Sequence, residues 1–296
     1  MGPAGGDGGK LDVAPLRGGV MRRGWLGMVA AMAASACSPV AVLNSLAPSR
    51  LVADGIAYGE GPRRKLDIYA PQGPGPFPVV IFVYGGGWTA GDRAIYRFLG
   101  GALASRGLLV VVPDYRLYPE VKYPGFLQDC AAAVRWSRDN AGKYGGAAGP
   151  QFLMGHSAGA YNVAMLGLDP EWLGQVGMTR RDLRGVIGVS GPYDFVPDTD
   201  ELRDIFGPMD QLARTMPITY AGGSEPPMLL LTGTADTTVK PGNTTRLAAR
   251  IRERGGSVEE RYYDGVGHIE IIGAVGAPLR FLAPTLRDSV AFMGVA

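Results

Sequence analysis

The sequence predicts an α/β fold with a mostly parallel central sheet and helices on both faces, and three observations carry that prediction. Short runs of apolar, β-branched residues recur along the chain, as strands covered on both faces require. Segments of helical periodicity separate these runs, so consecutive strands must be joined by crossovers and run parallel. No internal repeat or linker interrupts residues 64–296, a length that suits one large α/β domain.

The first 36 residues read as a leader and export signal outside that fold. Met1–Val20 is Gly-rich and aperiodic, which fits a disordered lead or an upstream start before Met21. Arg22-Arg23 then precede the uncharged, mostly apolar stretch Trp25–Ala36, the pattern of a bacterial export signal. That stretch is too short for a membrane span, which needs roughly 18–20 apolar residues. Ala34-Ser35-Ala36-Cys37 resembles the lipobox of bacterial lipoproteins, with Ala34 where leucine is usual. Cleavage before Cys37 would leave a lipid-bearing cysteine and a membrane-anchored protein; plain secretion to the periplasm is the alternative. Residues 37–63 read as an N-terminal lead-in.

The body of the chain then alternates. Arg64–Tyr69 is expected as an outer strand. Pro78–Tyr84, Leu108–Pro113, Gln151–Met154, Val186–Val189 and Met228–Leu231 are expected as buried strands. Helical patterns cover Ala94–Arg106, Gly125–Asn140, Ala158–Leu168 and Thr244–Arg254. Val258–Tyr263 closes the sheet and Leu279–Phe292 reads as a final helix. Cys130 shares an apolar stripe with Phe126, Leu127 and Val134 and reads as a buried thiol. Leu168–Arg184 and Phe195–Gly223 are longer than simple connections and are expected above the strand ends, where loops shape a pocket.

Composition removes several functions. The 296 residues hold 29 Lys and Arg against 27 Asp and Glu, a net charge of +2. Lys10, Arg17, Arg22 and Arg23 against Asp7 and Asp12 place that excess in the leader, so residues 37–296 are neutral. No basic block exists to neutralise phosphates, which excludes nucleic acid as a partner. Two His and two Cys fit no zinc spacing, so no metal is expected. The 46 glycines are about twice the usual share of ~7%, so only those within motifs are informative.

Three motifs carry chemistry. Gly155-His156-Ser157-Ala158-Gly159 lies between the strand ending at Met154 and the helix Ala158–Leu168. G-x-S-x-G at such a turn exposes the serine beside the positive end of a helix. Tyr84-Gly85-Gly86-Gly87-Trp88 leaves the strand Pro78–Tyr84, and three glycines let backbone amides face one point, as an oxyanion hole requires. A serine nucleophile needs a base, and only two histidines exist. His156 precedes Ser157 in the elbow and should point away from it, which leaves His268 in Asp264-Gly265-Val266-Gly267-His268. Asp236, on the loop Gly233–Val239 after a predicted strand, is the preferred acid to orient His268, with Asp194 and Asp264 as competitors.

Together these motifs resemble the α/β-hydrolase family, in its carboxylesterase and acetyl-esterase branch related to hormone-sensitive lipase and arylformamidase. The resemblance runs from about Arg64 to Phe292. It implies an α/β-hydrolase fold, a Ser157-His268-Asp236 triad and hydrolysis of a small carboxylic ester without metal or organic cofactor. It assigns the oxyanion donors to the amides of Gly86, Gly87 and Ala158. Tyr84 stands where the HGGGW motif has histidine. Asp114 and Asp129 match family positions and are expected to brace this loop or its neighbours. Trp88, Phe195, Phe206 and Ile269 are candidates to line the substrate site. An aryl formamide is the alternative substrate; a non-catalytic binding module would be expected to lack the serine or histidine, and both are present.

Overall fold

The computed structural model describes Met1, residues 39–48 and residues 50–295. The expected export signal and Cys37 lie outside the described residues. A short helix α1 (Pro39–Ser45) leads into strands β1 (Leu51–Ala57), β2 (Lys65–Tyr69) and β3 (Val79–Val83). Helix α2 (Arg97–Ala104), β4 (Leu109–Pro113), α3 (Gly125–Asn140), β5 (Gln151–His156) and α4 (Ala158–Leu168) follow. Next come α5 (Pro170–Gly174), β6 (Leu183–Val189), α6 (Asp200–Phe206) and β7 (Met228–Gly233). The chain ends with α7 (Gly242–Glu253), β8 (Val258–Tyr263), α8 (His268–Gly273) and α9 (Thr285–Phe292).

The strands form one sheet in the order β1-β2-β4-β3-β5-β6-β7-β8. β2 is antiparallel to both its neighbours, and β4 through β8 pair in parallel. This is the α/β-hydrolase fold. Every residue of β3, β4, β5 and β7 is buried, which explains their unbroken apolar sequences. The edge strands β1 and β8 are largely exposed or alternate, as one-sided burial dictates.

Three expectations need adjustment. The segment read as a lead-in contributes α1 and β1; β1 carries Asp54 and Gly55 and is bulged against β2, so it lacks a readable alternation. The final helix starts only at Thr285, because Pro284 stands at its boundary and Pro278 sits in a separate 3-10 turn. Leu168–Arg184 packs along α3, where Arg135 donates to the Val176 carbonyl (3.2 Å) and Arg138 pairs with Asp182, before descending to the start of β6. Phe195–Gly223 is the segment that reaches the strand ends, through Phe195 stacked on Trp88 and Phe206 edge-on to it.

Asp129 of α3 is fully buried and ties three elements together. It accepts from Arg64 at the start of β2 (2.8 Å), and from both the guanidinium (2.8 Å) and backbone N–H (2.9 Å) of Arg116 beyond β4. Removing one partner of a buried ion pair leaves the others uncompensated, a cost of about 3–5 kcal/mol. Asp129→Ala is therefore expected to destabilise the protein by that amount in urea unfolding. Asp139→Ala, which removes an exposed pair with Arg135, should leave the midpoint nearly unchanged.

Candidate active site

Strand β5 turns into α4 at Ser157, whose backbone is left-handed at φ 54°, ψ −123°. Such a conformation costs a non-glycine residue on the order of 1–3 kcal/mol and persists only where its surroundings enforce it. Here the Ser157 N–H donates to Val189 O (2.9 Å), and its carbonyl accepts from Tyr161 N (3.1 Å) to start α4. The flanking glycines are steric necessities. A Cβ on Gly155 would lie 2.3 Å from Gly159 O, and one on Gly159 would lie 2.0 Å from Val83 O.

Ser157 Oγ lies 2.9 Å from His268 Nε2, and His268 Nδ1 lies 2.8 Å from Asp236 Oδ2. A carboxylate can only accept, so Nδ1 carries the proton and Nε2 is left to accept from the serine hydroxyl. The other Asp236 oxygen accepts from the N–H groups of Thr238 (2.9 Å) and Val239 (2.8 Å), which fixes the carboxylate plane. Burial alone would raise the Asp236 pKa; the His268 hydrogen bond and charge and the Val239 N–H outweigh it and hold the carboxyl below its usual range.

The loops that carry Asp236 and His268 meet because they are zipped together. Thr234 N–H donates to Tyr263 O (2.9 Å), and Ala235 N–H donates to Val266 O (3.1 Å). Thr234 Oγ1 bonds Asp264 (3.1 Å) and accepts from Gly265 N–H (2.9 Å). His268 opens helix α8 instead of ending a loop. The competing acids are engaged elsewhere, Asp194 with Arg246 and Asp264 with Thr234.

The glycine loop passes directly against Ser157, for a Cβ on Gly85 would stand 2.8 Å from Ser157 Cβ. Gly86, Gly87 and Trp88 follow at φ 129°, 61° and 61°. The loop closes on itself through Thr89 N–H and Ala90 N–H, both donating to Gly86 O. The N–H groups of Gly86, Gly87 and Ala158 make no protein hydrogen bond among the described residues. Tyr84 braces the loop from behind, where its hydroxyl donates to Asp114 (2.8 Å) and accepts from Arg63 (2.9 Å). Arg63 also donates to Gly91 O (2.8 Å), and Tyr115 OH donates to Tyr84 O (2.9 Å). Burial, reinforced by Tyr115 and Asp114, keeps the Tyr84 phenol protonated and so able to donate.

Trp88, a candidate substrate contact, is only 3% exposed, and its indole N–H donates to Asn162 (3.1 Å). Its ring sits among Phe126, Tyr161, Phe195 and Phe206, so it packs the glycine loop in place instead of facing solvent. Ile269, next to His268, is 48% exposed. Arg63, Asn162 and the contact made by His156 were not foreseen. Arg63 and Asn162 sit in no chemical motif, and their partners are distant in sequence.

His156 is buried, with Nε2 3.0 Å from the His268 carbonyl oxygen. Burial, with the neighbouring His268 adding to it and Asp236 opposing, lowers its pKa from 6.5 to about 3. A depressed folded-state pKa means that only the unfolded chain takes up this proton between those values. The resulting stability is complete above pH 6.5 and is lost as pH falls toward 3. His156→Gln removes this titration, so its melting temperature should fall less than wild type between pH 7 and pH 4. Equal losses in thermal melts at the two pH values would show that His156 titrates as an ordinary histidine.

Comparison with known proteins places this geometry in context. The BD-FAE family profile matches residues 66–251, more than half of the chain. A probable isoprenylcysteine alpha-carbonyl methylesterase ICME of Oryza sativa subsp. japonica is 29% identical over 247 residues, covering 75% of this chain and 59% of its own length. This chain thus spans less than two thirds of that relative. A kynurenine formamidase of Salmo salar is 32% identical over 143 residues, covering 48% of this chain and 46% of its own. Among solved structures, a truncated carbohydrate esterase from gut microbiota superposes with a TM-score of 0.73 at 21% identity, covering 83% of this chain and 97% of that one. With more than half of its length matched by the profile, the chain belongs to the BD-FAE family.

Proposed function

We propose that this chain is a serine carboxylesterase that hydrolyses small esters through a Ser157-His268-Asp236 triad and an acyl-enzyme. The observation that carries the reading is the pair of hydrogen bonds in series, Ser157 Oγ to His268 Nε2 and His268 Nδ1 to Asp236. Ser157 attacks the acyl carbonyl while His268 Nε2 takes its proton, and Asp236 stabilises the imidazolium. The unpaired amides of Gly86, Gly87 and Ala158 receive the tetrahedral oxyanion. His268 returns the proton to the departing alcohol, and water attacks the acyl-enzyme through the same base. The methylesterase relative supports an ester substrate.

The formamidase relative favours a second reading, because formyl is the smallest acyl group and the same nucleophile cleaves its amide. The proposal extends to export of residues 37–296, with a lipid on Cys37 as membrane anchor. Its support is the Arg22-Arg23, Trp25–Ala36 and Cys37 pattern.

Nitrophenyl esters of increasing acyl length, assayed beside N-formylkynurenine, separate the readings. Activity is expected to peak at the short esters. Ser157→Ala should lower kcat on the order of 10⁶-fold and Asp236→Asn on the order of 10⁴-fold. Ester hydrolysis that survives in Ser157→Ala would overturn the mechanism, and cleavage of the formamide alone would replace the ester reading. Intact mass of the membrane fraction checks the anchor, which requires a diacylglyceryl increment on Cys37.

A further inference from the structure

The residue before the nucleophile has no part in the proton relay, yet it touches the base. We propose that His156 is a positioning residue whose Nε2–H, bonded to the His268 carbonyl oxygen, fixes the backbone from which the His268 ring reaches Ser157 and Asp236. This inference rests on the triad reading above.

The 3.0 Å contact defines the tautomer, because a carbonyl oxygen can only accept; Nε2 therefore carries the proton. The two imidazoles lie 4.8 Å apart between centroids at 40°, so the His156 ring also backs the His268 ring. On its other side His156 faces the glycine loop, where a Cβ on Gly85 would stand 3.2 Å from Nδ1. One side chain thus spans the elbow, the glycine loop and the base.

It joins two elements set differently in the fold. His156 is the last residue of β5, buried and in register with Val189 of β6 at the centre of the sheet. His268 is the first residue of α8, a helix of six residues near the end of the chain. The bond therefore references a base on a six-residue helix to the same strand that carries the nucleophile. Its Nδ1 has no partner among the described residues, and the ring stays neutral at working pH, so it adds no charge to oppose the imidazolium formed on His268.

A displaced base affects the chemical step more than substrate binding, and a misplacement of about 1 Å costs on the order of 10²-fold. The test compares kcat and KM for nitrophenyl acetate in wild type, His156→Phe and His156→Gln, with melting temperatures at pH 7.5 and Ser157→Ala as control. Phenylalanine keeps a ring but has no donor; glutamine can offer an amide N–H where Nε2 stood. His156→Phe is expected to lower kcat by about 10–100-fold with KM within about twofold, and His156→Gln to recover most of that loss. Where the Phe variant fails to fold, His156→Met supplies the donor-less comparison at lower steric demand. Wild-type kcat in the donor-less variant, equal impairment in the Gln variant, or a change confined to KM would each overturn the positioning role. Those results alongside an inert Ser157→Ala sink this inference alone; an active Ser157→Ala sinks the triad reading itself.

Discussion

Ser157 can hold its left-handed backbone only because the chain on either side has no Cβ to clash. Gly155 and Gly159 approach each other and the end of β3 within distances that any side chain would violate. From that constraint the rest of the site follows. The turn sends α4 away beneath the serine, leaves the Ala158 N–H without a partner among the described residues, and holds the hydroxyl at the C-terminal edge of the parallel strands. Strain at this position is sustained by the sheet, since the Ser157 N–H is anchored on the neighbouring strand β6. A parallel sheet buried on both faces supplies the stiffness to hold a backbone residue away from its preferred region.

Around this turn, charged groups do structural work in layers. Asp129 gathers Arg64 and Arg116, and Asp114 gathers Arg93 and the Tyr84 hydroxyl. Both carboxylates are buried, and both are paired as burial demands. The substitution of tyrosine for the histidine usual before the glycines is accommodated by this arrangement: Tyr84 reaches Asp114, and Arg63 clamps its hydroxyl to the far end of the loop at Gly91. The glycine loop is thereby held from behind. The aromatic cluster centred on Trp88 seals the other side.

Much of this was legible in the residues, and the reasons differ from one element to the next. The central strands were readable because burial on both faces demands unbroken apolar runs. The elbow was readable because its glycines answer a local steric demand. β1 was not, since an edge strand with a bulge needs no pattern. The final helix was overextended because apolar periodicity continued across Pro284, where the backbone cannot follow. Trp88 was read as a substrate contact from its place in the motif, and only packing showed its burial under Phe195 and Phe206.

By itself the sequence determined the order of β2 to β8, the turn at Ser157, the glycine loop and the shortlist of one candidate base and three candidate acids. Those are local matters, set by periodicity, steric limits and the scarcity of histidine. Tertiary structure alone showed that Asp236, already the preferred acid, lies against His268, how the tyrosine before the glycines is braced, and what His156 touches. Each depends on groups far apart in the chain: Asp236 and His268 meet through two zipped loops, and Arg63 crosses to Gly91. Side-chain direction and sheet register govern such contacts, and neither is written in the spacing of residues along one segment.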